Sequence, residues 1–212
     1  MAASPTIVSH HQTNTYTVYD VTCFNHRVRT IVTRCPDVVT SWITHIRSNH
    51  HPTIIGLDTE WLNPIATLQL CVGPNCLIYQ LLHSPSIPSS LEDFLGDPQC
   101  RFSGVGISGD SQRLLKDYDL RLSSMVDVSK VAAEAGKVRV NAGLKEVANA
   151  VLGWEMVKVK EITMSKWNKE VLDQSQVMYA CIDAFVSYHI GKELDGKSKN
   201  NCVDDLNTRA RK

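Results

Sequence analysis

The stretch Thr53-Ile54-Ile55-Gly56-Leu57-Asp58-Thr59-Glu60 decides how the chain is read. Thr53 to Leu57 is a short, nearly continuous apolar run, the pattern of a strand buried on both faces of a sheet. The run ends on acids. Side chains at i and i+2 of a strand point to one face, so Asp58 and Glu60 can present two carboxylates into a single place. Carboxylates that close repel each other and call for a cation. Taken alone, D-x-E is common, and a strand end carrying two solvated acids accounts for it at least as well.

On the N-terminal side, Tyr16 to Cys23 and Arg27 to Thr33 alternate in β fashion around Asn25-His26, a hairpin pattern. Val38, Val39, Trp42, Ile43 and Ile46 then recur at helical spacing behind Asp37, and His50-His51-Pro52 stops that helix. On the C-terminal side, Ala66 to Val72 alternates, Gly73-Pro74-Asn75 turns, and Cys76 to Gln80 forms a further strand. A helix at Ser90 to Leu95, a strand at Phe102 to Val105 and a helix at about Asp110 to Tyr118 follow. Next come a short strand at Met125 to Asp127, helices at Val128 to Ala135 and Leu144 to Leu152, and a last helix from Gln174 to about Leu194. Asp173 and Gln176 suit a capping box at its start. This order predicts an α/β fold, a mixed β-sheet flanked by α-helices on both faces. Residues 1–13 read as a disordered tail, 14–196 as a single domain and 197–212 as a polar tail.

Composition narrows the function classes. Of 212 residues, 43% are hydrophobic and 21% charged, close to globular averages. No apolar run approaches the roughly 18 residues of a membrane helix, and no secretory signal opens the chain. The seven cysteines include no C-x-x-C pair and are expected as reduced thiols of the cytoplasm or nucleus. Lys plus Arg and Asp plus Glu both number 22, so the net charge is zero. Proteins that grip long duplexes through many phosphates are usually basic, so a local basic rim is expected instead. The adjacent histidines project differently and lack cysteines at finger spacing, which argues against zinc.

Two further features carry chemistry. Gly104-Val105-Gly106-Ile107-Ser108-Gly109-Asp110 is a glycine turn leading into a helix. It spells a G-x-G-x-x-G, but outside the strand–helix unit at the chain start that a dinucleotide loop needs. Asp110 alone would pass for a helix cap. Tyr179 and Asp183, four apart on the last helix, share a face. A core tyrosine beside a surface acid is the plain reading of that pair.

The order of these parts is far more specific than any one of them. Gly56-Leu57-Asp58-Thr59-Glu60-Trp61, then Gly104 to Asp110 with Leu114-Leu115-Lys116-Asp117, then Ser165-Lys166-Trp167 and Tyr179-Ala180-Cys181-Ile182-Asp183-Ala184, resemble the three motifs of the DnaQ-like DEDD 3′→5′ exonucleases. The tyrosine places the likeness in the DEDDy subclass, in the branch typified by the Werner syndrome protein exonuclease domain and its small plant relatives. Ala66 to Leu70 also resembles the family's second strand, and the likeness covers roughly residues 35 to 194. Cys181, Ile182 and Phe185 depart from the usual third motif and are taken as packing changes.

The resemblance implies an RNase H-like (DnaQ-like exonuclease) fold with the acids gathered at one end of the sheet. It implies Asp58, Glu60, Asp110 and Asp183 as ligands of two Mg²⁺ or Mn²⁺ ions. Tyr179 would orient the attacking water, and backbone groups near Thr59 with the side chains of Glu60, Trp61 and Leu62 would meet the terminal nucleotide. The partner would be a single-stranded or frayed 3′ end of DNA or RNA, and no membrane. A closed homo-oligomeric ring, as in some small plant relatives, is also open to the chain. Arg113, Lys158, Lys160 and Lys166 are candidates for phosphate contact, although each alone reads as a solvated charge. The rival readings are a nucleic-acid-binding or assembly module that keeps the fold without turnover, and an endonuclease of the same fold.

Overall fold

The computed structural model describes residues 4–50 and 53–209. Three strands open the chain: β1 (Thr6–Gln12), β2 (Tyr16–Cys23) and β3 (His26–Thr33), followed by α1 (Pro36–His50). Next come β4 (Ile54–Trp61), β5 (Ile65–Val72), β6 (Asn75–Tyr79), α2 (Ser89–Leu95) and β7 (Arg101–Gly104). Then follow α3 (Ile107–Tyr118), β8 (Met125–Asp127), α4 (Val128–Glu134), α5 (Leu144–Leu152), α6 (Lys160–Thr163) and α7 (Gln174–Arg209). The described strands form one mixed sheet in the order β1-β2-β3-β6-β5-β4-β7-β8. β3/β6, β4/β7 and β7/β8 run parallel and the other pairs antiparallel.

Both faces of this sheet are covered. Thr30 of β3 donates its hydroxyl to Cys181 Sγ of α7 at 3.1 Å, whereas its neighbour Ile31 lines a cavity with Val38 and Trp42 of α1. Adjacent strand residues face opposite sides, so α1 and α7 lie on opposite faces. This explains why every residue of β5 is buried, Thr67 and Gln69 included. The alternation visible in its sequence is therefore not a division between core and solvent.

Two expectations about the ends are corrected. Residues 6–12, expected within a disordered tail, pair as β1 with β2. An edge strand needs little apolar content, because partner backbone satisfies it on one side and water on the other. The last helix does not stop near Leu194 but runs on to Arg209, through most of the expected polar tail. His51 and Pro52, expected to stop α1, lie outside the described residues. The hairpin turn uses Phe24 and Asn25, both at positive φ (48° and 62°), rather than Asn25-His26.

Helix α7 is seated on the sheet by missing side chains. A Cβ on Gly56 would lie 2.0 Å from the Ala184 carbonyl oxygen and 2.6 Å from the Tyr188 nitrogen. A Cβ on Gly191 would lie 2.7 Å from Cβ and Oγ of Ser103. Ala184, Ser187 and Gly191 thus form a small-residue stripe along α7 over β4 and β7. Ser103 bridges the two layers, its hydroxyl lying 3.1 Å from the Ile55 carbonyl and 3.0 Å from the Ser187 carbonyl. The start of α7 is held by the capping box. Gln176 N–H donates to Asp173 Oδ1 at 3.0 Å, and Asp173 N–H donates to Gln176 Oε1 at 3.2 Å.

Gly56→Ala should therefore force strand and helix apart, a loss of about 3 kcal/mol or more, read as a fall in Tm of roughly 10 °C. Gly109→Ala is the control: nothing lies within 4 Å of the added Cβ, so stability should hold or rise slightly. A Gly56→Ala protein as stable as wild type would refute this account of the helix seat.

Candidate active site

The acids come from three elements. Asp58 and Glu60 stand at the C-terminal end of β4, beyond its pairing with β7, which ends at Gly56. Across β5 they face Gln69 and Thr67, whose side chains share their side of the sheet. Gln69 gives its amide nitrogen to Thr67 Oγ1 at 2.7 Å, and its Oε1 is buried without a hydrogen-bond partner. An orphan acceptor beside Asp58 adds to the local demand for positive charge.

Asp110 lies in the first turn of α3, because the helix starts earlier than expected, at Ile107 behind Gly106 with φ 67°. It is not the N-cap. Its Oδ1 accepts the Thr59 hydroxyl at 2.5 Å. The Thr59 side chain is buried and gives its hydroxyl to this acid, which leaves only its backbone for the expected substrate contact. Asp117, further along α3, accepts the Ile65 N–H at 3.0 Å, and Tyr118 donates to the Ile65 carbonyl at 2.6 Å. That part of the second motif thus ties α3 to the start of β5.

Asp183 and Tyr179 face the site from α7. Asp183 is 4% exposed, and its Oδ2 accepts the Lys158 ammonium at 2.7 Å. The Tyr179 hydroxyl lies 3.3 Å from Lys158 Nζ and 3.2 Å from the Thr163 hydroxyl. Lys158, one of four cations expected as solvated charges, is instead the ammonium inside the acid cluster. Thr163 had no sequence signal; it reaches the tyrosine only because the segment entering α6 lies over α7. Trp61 is 47% and Leu62 48% exposed, so Trp61 is not a core residue. The Arg113 guanidinium lies 3.6 Å from the Trp61 ring centroid, a cation–π contact at the rim. Lys160 and Lys166 are exposed and form no ion pair with the acids among the described residues.

The electrostatics are those of an excess of negative charge. Burial pushes the Asp58 carboxyl well above its ordinary range, and Asp183, Glu60 and Asp110 push it further. Burial and Asp183 push Glu60 up to about 8, against the pull of Lys158. Burial also raises Asp110, opposed by the Thr59 hydroxyl and Arg113. It raises Asp183 despite Lys158. The Tyr179 phenol rises to about 12, by burial and by the Asp183 charge. Burial opposes the Lys158 charge, but Asp183 outweighs it and the ammonium is held above its usual range. Among the described residues, no group of three or more His, Cys, Asp or Glu is arranged as a ready-made cation site. Lys158 and Thr59 already occupy one oxygen each of Asp183 and Asp110.

Comparison with known proteins fits this geometry. A family model described as 3′-5′ exonuclease matches residues 31–198. The chain belongs to the 3′-5′ exonuclease family. It is 31% identical over 163 residues to the bifunctional 3′-5′ exonuclease/ATP-dependent helicase WRN of Mus musculus, covering 73% of this chain and 12% of that protein. It is 31% identical over 150 residues to a 3′-5′ exonuclease of Arabidopsis thaliana, covering 66% of this chain and 52% of that one. The chain therefore spans about half the length of that plant relative and far less of the mouse protein. The crystal structure of Escherichia coli RNase D, an exoribonuclease involved in structured RNA processing, overlays with a TM-score of 0.70 at 20% identity. The overlay covers 80% of this chain and 45% of RNase D and shows the shared RNase H-like fold. Among the described residues, no helix is long and apolar enough to cross a membrane.

The raised carboxyls fix a sign for pH dependence. A carboxyl whose folded pKa exceeds its unfolded value holds protons that the unfolded chain has released, so stability falls as pH rises between the two. For Glu60 that window runs from its ordinary 4.5 to about 8. In chelator, Tm should drop by roughly 5 °C between about pH 5 and pH 8, and Glu60→Gln should flatten the profile. A Tm that climbs across this window would contradict the charge cluster.

Proposed function

We propose that the chain is a metal-dependent 3′→5′ exonuclease that hydrolyses single-stranded or frayed nucleic-acid 3′ ends to nucleoside 5′-monophosphates. The observation that carries this reading is that Asp58, Glu60, Asp110 and Asp183, from β4, α3 and α7, stand near enough in a largely buried spot to raise one another's pKa, with Lys158 and Thr59 holding two of them apart from a closed cation site. Such a cluster is an oxygen donor set with more negative charge than its one ammonium balances, and it suits hard divalent cations, Mg²⁺ or Mn²⁺. Asp58, flanked electrostatically by the other three acids, would be the central ligand of a two-ion site. Glu60 and Asp183 would hold the one on the water side, and Asp110 the other. When bound, the ions supply Lewis acidity that activates water and stabilises the departing 3′ oxygen.

The chain's own groups do the positioning. The Tyr179 hydroxyl, next to Asp183, orients the attacking water. Thr59 holds Asp110 at a fixed rotamer. Exposed Trp61 and Leu62 at the tip of β4 meet the terminal nucleotide, with Arg113 stiffening the indole, as aromatic platforms do for single strands. An apolar cleft of about 240 Å³ beside Tyr179 and Asp183, lined in part by Met156, Ile162 and Met178, offers room for a neighbouring base. Zero net charge favours ends over long duplex tracks. The buried thiols of Cys23, Cys71, Cys76, Cys100 and Cys181, none of them in a disulfide, fit a reducing compartment, cytoplasm or nucleus.

One observation favours the other reading, a binding module without turnover: Lys158 already fills part of the cluster. Kinetics separate the two. With matched 3′-labelled and 5′-labelled strands, activity should vanish in EDTA and return with Mg²⁺ or Mn²⁺, and circular strands should resist. Asp58→Asn should cost at least about 10³-fold in single-turnover rate. Tyr179→Phe, which removes only a positioning hydroxyl, should cost on the order of 10- to 10²-fold. Both variants should keep the circular dichroism of wild type. A folded Asp58→Asn protein with near-normal activity, or undiminished turnover in EDTA, would overturn the reading.

A further inference from the structure

Lys158 sits on no regular element. It belongs to the irregular segment between α5 and α6, fixed at both sides. Upstream, Trp154 stacks against Phe24 at 4.6 Å and Phe185 at 5.8 Å between ring centroids, and Met156 is buried. Downstream, α6 begins at Lys160, and the Trp167 indole N–H donates to the Thr163 carbonyl at 3.3 Å. Neighbouring Val157 and Val159 are exposed, at 78% and 39%. The backbone is therefore anchored while the four-carbon stem is not. The Lys158 side chain is 34% exposed against 5% for its partner Asp183, so the ammonium has a way out to water and the carboxylate has none.

Lys158 holds Oδ2 of Asp183 at 2.7 Å, on the carboxylate a divalent ion would need. A positive ammonium in contact with that oxygen and a divalent cation on it repel each other strongly in a partly buried site. The two cations therefore compete for Asp183. The same ammonium lies 3.3 Å from the Tyr179 hydroxyl, so its departure also changes what that hydroxyl can do. We propose that Lys158 is a built-in counter-cation that a divalent ion must displace from Asp183, so that loading the ion and freeing the Tyr179 hydroxyl are one event. The lysine then sets the ion concentration at which the site fills. This deepens the exonuclease reading and rests on its assignment of Asp58 and Asp183 as metal ligands.

The test uses Mn²⁺ alone and needs no turnover. Mn²⁺ binding to the full chain is measured by electron paramagnetic resonance and calorimetry for wild type, Lys158→Met, Lys158→Gln, Lys158→Arg, Asp58→Asn and Asp183→Asn, with circular dichroism as the folding control. Lys158→Met and Lys158→Gln should bind Mn²⁺ on the order of tenfold more tightly than wild type, a coupling of ordinary size. Lys158→Arg keeps the charge and should stay near wild type. Unchanged or weaker binding in both uncharged variants overturns the proposal, as does an equal gain in Lys158→Arg, since shape rather than charge would then be the cause. The metal-ligand reading fails separately, if Asp58→Asn and Asp183→Asn bind Mn²⁺ as wild type does.

Discussion

Where helix α7 crosses strand β4 there is no room for a methyl group. A Cβ on Gly56 would meet the Ala184 carbonyl oxygen at 2.0 Å, and the rest of the structure depends on that closeness. Ala184 directly follows Asp183, and Gly56 precedes Asp58 by two residues. The backbone contact thus brings the acid of the last helix over the two acids of the strand. A wider spacing, as between ordinary packed layers with side chains interposed, would leave Asp183 out of reach. The small-residue stripe through Ser187 and Gly191, and the capping box at Asp173 and Gln176, keep the long helix from tilting off this contact.

Packing of this kind has an electrostatic cost. It confines several carboxyls where water is scarce, and each raises the pKa of its neighbours. Lys158 and Arg113 stand close enough to oppose that charge. A buried cluster of like charges is a poor way to build a stable core. It is a good way to build a place where a cation binds strongly, because the binding relieves repulsion that folding has imposed. Stability and function therefore pull against each other at the end of β4, and the extensive apolar core elsewhere carries the fold.

Much of this was legible in the sequence because two periodicities are strong. The apolar run before Asp58 and the period of two place Asp58 and Glu60 together, and the i, i+4 spacing places Tyr179 beside Asp183. The capping box was legible because its residues act locally. The family likeness was borne out by the family model over residues 31–198. What was hidden depended on tertiary context. β1 is polar and pairs through its backbone. The start of α3 is set by the left-handed Gly106, which moved Asp110 from a cap into the first turn. Trp61 is exposed because β4 outruns β7 and its register with β5 shifts between Glu60 and Trp61. Lys158 lies in an irregular segment with no periodicity, so its place was set by the aromatic stack at Trp154 and by α6. Gln69 belonged to a motif-like strand, but its orphan oxygen appears only once both faces of β5 are covered.

The most direct measurement is anomalous X-ray diffraction from crystals of the chain grown or soaked in Mn²⁺. The account predicts anomalous peaks bounded by carboxylate oxygens of Asp58, Glu60, Asp110 and Asp183, with the Lys158 ammonium withdrawn from Asp183. Well-ordered carboxylates with no manganese between them at saturating Mn²⁺, and Lys158 still seated on Asp183, would contradict it.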